Sequence, residues 1–151
     1  MSRVICLAQS MRSIVRTLTE CWEYHGVKPT NVVWSWTAVD DPARPTRVAM
    51  TFWRHEFDDR LLRVYRNRPL KKGGERRFGF KERIKHLKLA QDELGGEVRV
   101  VLITPKDTEA SPRRIQEREP VDWRMRVVML NTTNGDFRLE RIEDSPNAPR
   151  P

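Results

Sequence analysis

Apolar residues in the first part of the chain recur at three- and four-residue steps: Val4, Leu7, Met11, Ile14 with Val15, Leu18, and Cys21 with Trp22. Arg3, Arg12, Arg16, Glu20 and Glu23 fall mostly between them. This period predicts an amphipathic helix over about residues 4–22, starting near Ser2 or restarting at Ser10 and stopped by Gly26 with Pro29 just beyond. The period then shortens to two. NVVWSWTAV (31–39) and RVAMTFW (47–53) are rich in β-formers and flank the proline-bearing DDPARPT, which predicts a hairpin. Alternation places Val32, Trp34, Trp36 and Ala38 on one face, and Val33, Ser35, Thr37 and Val39 on the other. In the second strand Val48, Met50 and Phe52 oppose Arg47, Thr51 and Trp53.

A third strand is predicted at LLRVYR (61–66), and a helical pattern returns from about Gly79 to Leu94. Its stripe is read as Phe80, Ile84, Leu87, Gln91 and Leu94, with Lys81, Lys85, Lys88 and Asp92 off it and Gly95-Gly96 as its stop. EVRVVLIT (97–104) is nearly continuously apolar and reads as a central, well-buried strand. PKDTEASPRRIQ reads as a loop running into a short helix, with Ser111 as N-cap and Pro112 at the first helical position. DWRMRVVMLN (122–131) and DFRLERI (136–142) are strands joined through Asn134-Gly135, a strong hairpin signal. The tail EDSPNAPRP (143–151) is expected to be disordered.

The predicted order is α-β-β-β-α-β-(α)-β-β. It implies one α+β domain over residues 1–142: a strongly bent mixed sheet, or a partly open β-barrel, of about six strands packed with two main helices. A PUA-like barrel is the specific form expected. Length agrees, since 151 residues bury one real core and not two.

Charge changes the picture most. Residues 66–88 hold ten Lys or Arg (Arg66, Arg68, Lys71, Lys72, Arg76, Arg77, Lys81, Arg83, Lys85 and Lys88) against Glu75 and Glu82. That surplus of eight equals the net charge of the whole chain, so the remaining residues balance. Residues 66–79 read as a basic loop hinged at Gly73-Gly74, followed by a helix that displays the rest of the charge on a fixed face. A focused positive field of this kind serves a polyanion, of which nucleic acid is the commonest; the plain alternative is a solvated basic face kept for solubility. Ser111-Pro112-Arg113-Arg114 adds amides and two guanidiniums at a helix start, a geometry that suits phosphate, although an ordinary capped turn accounts for it equally.

Other chemistry finds little purchase. His25, His55 and His86 stand without a CxxC or HxxxH pattern, so neither a zinc site nor any other metal or cofactor is expected. Ser35 lacks a nucleophile-elbow pattern. Cys6 and Cys21 lie fifteen residues apart on one helical stripe and cannot pair, so they read as reduced thiols of a cytoplasmic protein. No run approaches the about 18–20 apolar residues of a membrane span, and no membrane partner is expected. Carboxylates for a metal nuclease would have to come from Glu56, Asp58 and Asp59 beside His55, or from Asp107 beside Lys106, and neither set has the spacing of a common nuclease core. Tryptophans commonly anchor cores, and Trp34 and Trp36 fit that use. Trp53, Tyr65 between Arg63 and Arg66, and Trp36 are the candidates to stack on a base. His86 reads as a histidine that fixes the helix to the sheet rather than as a general base.

Four stretches taken in order, VVWSWTAVD, VAMTFWRHEF, GFKERIKHLKLA and VVLITPKDTEASPRRIQE, resemble a small domain associated with bacterial HNH restriction-type endonucleases. The resemblance covers about residues 30–118 and matches Trp34, Trp36, Trp53, Arg83, His86, Lys106, Asp107, Ser111 and Arg113. It implies a DNA-recognition module; since no HNH domain is attached here, it further implies a recognition part that acts alone or beside a separate nuclease subunit.

The expectation from residues and resemblance together is a non-enzymatic nucleic-acid-binding domain, DNA before RNA, reading modified or flipped bases in a restriction or defence context. Arg66, Arg68, Lys71, Lys72, Arg76, Arg77, Lys81, Lys85, Lys106, Arg113 and Arg114 would hold phosphates. Two rivals stand beside it: a metal-dependent nuclease or nucleic-acid-modifying enzyme, and a protein-interaction module binding an acidic partner. A homodimer through the helix over 4–22 is a further candidate contact.

Overall fold

The computed structural model describes residues 17–31, 35–66, 78–108 and 115–143. Its elements are helix α1 (Leu18–Tyr24), strands β1 (Thr37–Val39) and β2 (Val48–Trp53), a single 3-10 turn at Arg54–Glu56, β3 (Val64–Arg66), helix α2 (Phe78–Glu93), β4 (Glu97–Pro105), β5 (Ile115–Leu130) and β6 (Phe137–Arg141). The six strands form one mixed sheet in the order β1-β2-β4-β5-β6-β3. Only β2 and β4 run parallel; every other neighbour is antiparallel. The α+β class and the six-stranded mixed sheet are as the sequence implies.

Capping sets where α1 begins. Thr17 is extended (φ −79°, ψ 160°), and its hydroxyl accepts from the Glu20 amide while the Glu20 carboxylate accepts from the Thr17 amide. This reciprocal pair satisfies two of the donors that a helix start leaves open. Helix α1 therefore begins at Leu18, and the expected helix over 4–22 is not continuous through Thr17. Residues 1–16, Cys6 among them, lie outside the described residues.

β1 and β2 pair as the expected hairpin, Thr37 opposite Met50 and Val39 opposite Val48. Asp40 ties the connecting loop by accepting from the amides of Thr46 and Arg47 and from the Thr46 hydroxyl. Desolvation is the largest single influence and opposes the shift, but those hydrogen bonds together outweigh it and hold the Asp40 pKa down to about 2. Met50 and Phe52 point to one core, Ala49 and Trp53 to the other, so the alternation read for β2 holds. It fails at Trp36. Trp36 sits in a bend ahead of β1, and its ring lies under a guanidinium of α2 rather than beside Ala38 in the α1 core.

α2 ends as expected: Gly95 and Gly96 both adopt positive φ, and the Gly96 amide reaches back to the Ala90 carbonyl at 2.7 Å. β5 corrects the sequence reading. It starts at Ile115, seven residues ahead of the expected strand, so any short helix opening at Ser111 is confined to residues 111–114, which lie outside the described residues. IQEREP offers no apolar alternation, yet it pairs with residues 101–105 of β4. Over that stretch β5 has no second strand beside it among the described residues, which is where a proline such as Pro120 is tolerated. The Asn134-Gly135 hairpin forms as expected, with Gly135 at φ 82°.

The sheet is strongly curled. β1 and β3 stand at opposite edges, yet Phe57, just past β2, bridges to Tyr65 of β3. The Trp53 amide also donates to the Tyr65 hydroxyl at 3.2 Å. Irregular pairing at Arg99/Val100 and at Val127/Met129 accompanies the bend. The result is a partly open barrel with a seam, filled by α2. Phe52, Phe57, Tyr65, Leu87, Ala90, Val100, Met125, Phe137 and Leu139 make the core on the α2 side. A smaller core of Cys21, Trp22, Val27, Ala38, Ala49, Val101 and Ile103 lies under α1 on the opposite face. No described helix is long and apolar enough to cross a membrane.

Candidate nucleic-acid interface

α2 has two faces with different tasks. Phe80, His86, Leu87 and Ala90 are buried, whereas Lys81, Lys85 and Lys88 are exposed. Lys88 pairs with Asp92 one turn on (2.8 Å). Lys81 and Lys85 form no ion pair with any described residue. A helix held this firmly by its inner side presents its outer charges at fixed positions, which the chain before it does not need to organise.

At the inner face the helix delivers a guanidinium into the seam. The Arg83 Cζ lies 4.7 Å from the Trp36 ring centroid and 4.8 Å from that of Phe137. Trp36 precedes β1 and Phe137 opens β6, so this side chain bridges two parts of the sheet that are remote in strand order. Desolvation lowers the Arg83 pKa to about 10, with Tyr65 and Glu56 pulling it back up. It stays protonated at neutral pH. Its Nε is buried without a hydrogen-bond partner, and it forms no ion pair with a described residue. Tyr65 donates to Glu56 at 3.4 Å; burial, and then the Glu56 charge, push the Tyr65 hydroxyl pKa up and keep it neutral. One turn beyond Arg83, the His86 Nδ1 lies 2.6 Å from the Thr37 hydroxyl. Burial lowers the His86 pKa, with Glu82 opposing and Lys85 adding to the shift. His86 thus welds α2 to β1, the role read for it from the sequence.

The other expected site residues scatter. Arg66 is at the surface but pairs with Asp58 at 2.7 Å. Arg68, Lys71, Lys72, Arg76, Arg77, Arg113, Arg114, Trp34 and Ser111 lie outside the described residues. Lys106 and Asp107 are exposed just past β4. Trp53 is partly covered and packs with Leu18 and Ile115 on the α1 core. Tyr65 is a correction: at 4% exposure it is enclosed by Phe52, Phe57 and Phe137 and is not a surface on which a base could stack. Its neighbours suggested otherwise: alternation turns Arg66 outward, while Arg63 precedes β3 and is held at the surface by Asp59. Trp36 keeps partial exposure, capped on one side by Arg83.

The carboxylates considered for a nuclease are engaged elsewhere. Asp58 holds Arg66, Asp59 holds Arg63, and Glu56 is buried against Tyr65. Among the described residues no three His, Cys, Asp or Glu side chains come together as a metal site would require. The Arg83 seam was missed by the sequence reading, although a signal existed. Phe80, Arg83, Leu87 and Ala90 follow the 3-4-3 spacing of a buried stripe, so Arg83 occupies a core position, while Gln91 of the expected stripe is exposed.

No family model, no curated protein and no solved structure matches this chain.

Proposed function

We propose that this protein is a nucleic-acid-binding domain, acting on DNA in preference to RNA, without catalytic activity of its own. The observation that carries the reading is the confinement of the whole positive surplus to residues 66–88, together with an anchored α2 that leaves Lys81 and Lys85 exposed and unpaired among the described residues. Cations on a rigid face meet a phosphate backbone without first losing conformational freedom, and release of condensed counterions drives the association. In its finer form the reading is of a PUA-like recognition module for modified or extruded bases in a restriction or defence setting, working beside a separate nuclease subunit in the cytoplasm. The partly exposed Trp36 ring, held by Arg83, supports it as the surface on which a base would lie.

Fluorescence anisotropy of a labelled 20-base-pair duplex over a salt series tests this. With about six phosphates engaged, log K should fall against log salt with a slope of about −5. Lys81→Glu with Lys85→Glu should cut the slope by about two and weaken binding ~10–100-fold at low salt, with thermal stability unchanged. No affinity for duplex or single strands at low salt, or the same slope in the charge-reversed protein, refutes the reading. Cutting of the duplex with magnesium or manganese would replace it with the nuclease; binding to an acidic protein but to no nucleic acid would replace it with the interaction module.

A further inference from the structure

On the face of the sheet opposite α2, three arginines gather: Arg99 of β4, Arg124 of β5, and Arg47 immediately before β2. Arg99 of β4 is directly opposite Arg124 of β5, and its β2 neighbour is Ala49, two residues beyond Arg47. Ala49 and Val101, which share this face, pack under α1. Like charges directly opposite one another in an antiparallel pair are destabilising, so the arrangement has a cost.

The local acids do not relieve it evenly. Glu97 accepts from Arg124 at 2.8 Å, and Asp122 accepts from the Tyr24 hydroxyl at 2.5 Å. Arg47 donates to the His25 carbonyl at 3.1 Å. Arg99 alone makes no hydrogen bond and no ion pair with a described residue, although it is partly buried. Its pKa is lowered by desolvation first, then by Arg124 and Arg47, against a weaker pull from Glu97 and Asp122. Beneath these arginines, the buried His25 ring donates from Nε2 to the Val100 carbonyl, leaving Nδ1 without a partner.

We infer that Arg47, Arg99 and Arg124 form a second anion site, separate from the α2 flank, which takes a phosphate group. Directly opposed side chains such as those of Arg99 and Arg124 start about 5 Å apart, and a diagonal neighbour such as Arg47 about 7–8 Å away, within reach of long arginine side chains, so the three guanidiniums can approach one anion from different sides. A carboxylate is saturated by a single fork, whereas a phosphate offers three or four acceptor oxygens and up to two charges. Phosphate as the free ion and phosphate in a nucleic-acid backbone share this chemistry, and the experiment separates them.

Thermal unfolding and ¹H–¹⁵N spectra of the full chain are recorded with and without inorganic phosphate, beside duplex binding over salt. Wild type should gain Tm in phosphate, with shifts at Arg99, Arg124 and neighbouring amides. Arg99→Gln should raise Tm in the absence of phosphate, by removing the repelled charge, and lose the phosphate response; Arg99→Lys should keep part of it. If the natural source is a nucleic-acid backbone, Arg99→Gln also lowers the salt slope for duplex by about one; an unchanged slope assigns the site to the free ion. Arg124→Gln, whose partner Glu97 is half-exposed, gives the same loss of response and stands in should Arg99→Gln fold poorly. A wild type indifferent to phosphate, or an Arg99→Gln protein that loses Tm yet keeps the response, overturns the site. Absence of any nucleic-acid binding with an intact phosphate response would sink the proposed function and leave this inference standing.

Discussion

Arg83 is the residue whose placement most needs a reason. A largely covered guanidinium with no ion pair among the described residues is costly, and two aromatic rings offset that cost only in part. Its stem and plane nevertheless fill the space between Trp36 and Phe137, so fold and charge can be separated by substitution. Arg83→Ala leaves a void and should cost about 1–3 kcal/mol in urea unfolding. Arg83→Met keeps the volume without the charge and should stay within about 1 kcal/mol of wild type or exceed it. If Arg83→Met matches wild type in stability but loses affinity for nucleic acid, the charge is kept for the ligand. If it is as unstable as Arg83→Ala, the field of Glu56 and Tyr65 is what holds the seam. Tyr65 shows the opposite lesson: the sequence placed it between arginines, and only the closing of the sheet shows that alternation turns it into the core.

At the scale of elements, legibility tracked local chemistry. α2 was readable because Gly95-Gly96 stop it and because Phe80 and Leu87 keep helical spacing. The β5–β6 hairpin was readable because Asn134-Gly135 demands positive φ. The start of β5 was not readable, since IQEREP has charge on both faces and a proline; its strand conformation comes from β4 beside it. The cluster of Arg47, Arg99 and Arg124 was equally hidden, because it exists only once β2, β4 and β5 are adjacent in register. Gly135 joins these elements. A Cβ there would meet the Phe80 ring at 2.4 Å, at a φ of 82° that L-residues rarely adopt. Phe80 lies in the first turn of α2, so the hairpin and the helix must shift together. Gly135→Ala should cost about 2–4 kcal/mol, through strain at positive φ and overpacking. Paired with Phe80→Leu, which clears the ring, it should cost less than the sum of the two changes. Full additivity by urea titration would show that the two elements are not coupled there.

At the scale of the whole molecule, one histidine fastens each helical layer to the sheet. His25 ends α1 and donates to Val100 of β4 at 2.8 Å; His86 joins α2 to Thr37 of β1. Both have a lowered pKa, each chiefly through desolvation, with Arg99 and Arg124 adding to the shift at His25 and Lys85 at His86. A histidine that folds in its neutral form binds fewer protons folded than unfolded near pH 6, so stability rises with pH there. Their contribution is complete above the unfolded value of about 6.5 and is lost as pH falls from there toward the lowered folded values. Each unit of lowering is worth about 1.4 kcal/mol. Asp40, with its pKa held near 2, acts in a separate window below the ordinary carboxylate range. Stability should therefore fall between pH 7.5 and pH 5.5, a span in which Asp40 stays ionised. His86→Gln should remove part of that fall, His25→Gln another part, and the double variant most of it, as read from urea midpoints at each pH. A wild-type midpoint that stays level across this range would mean that the folded protein accepts the protons at His25 and His86. The two helices would then be held to the sheet by their apolar faces alone.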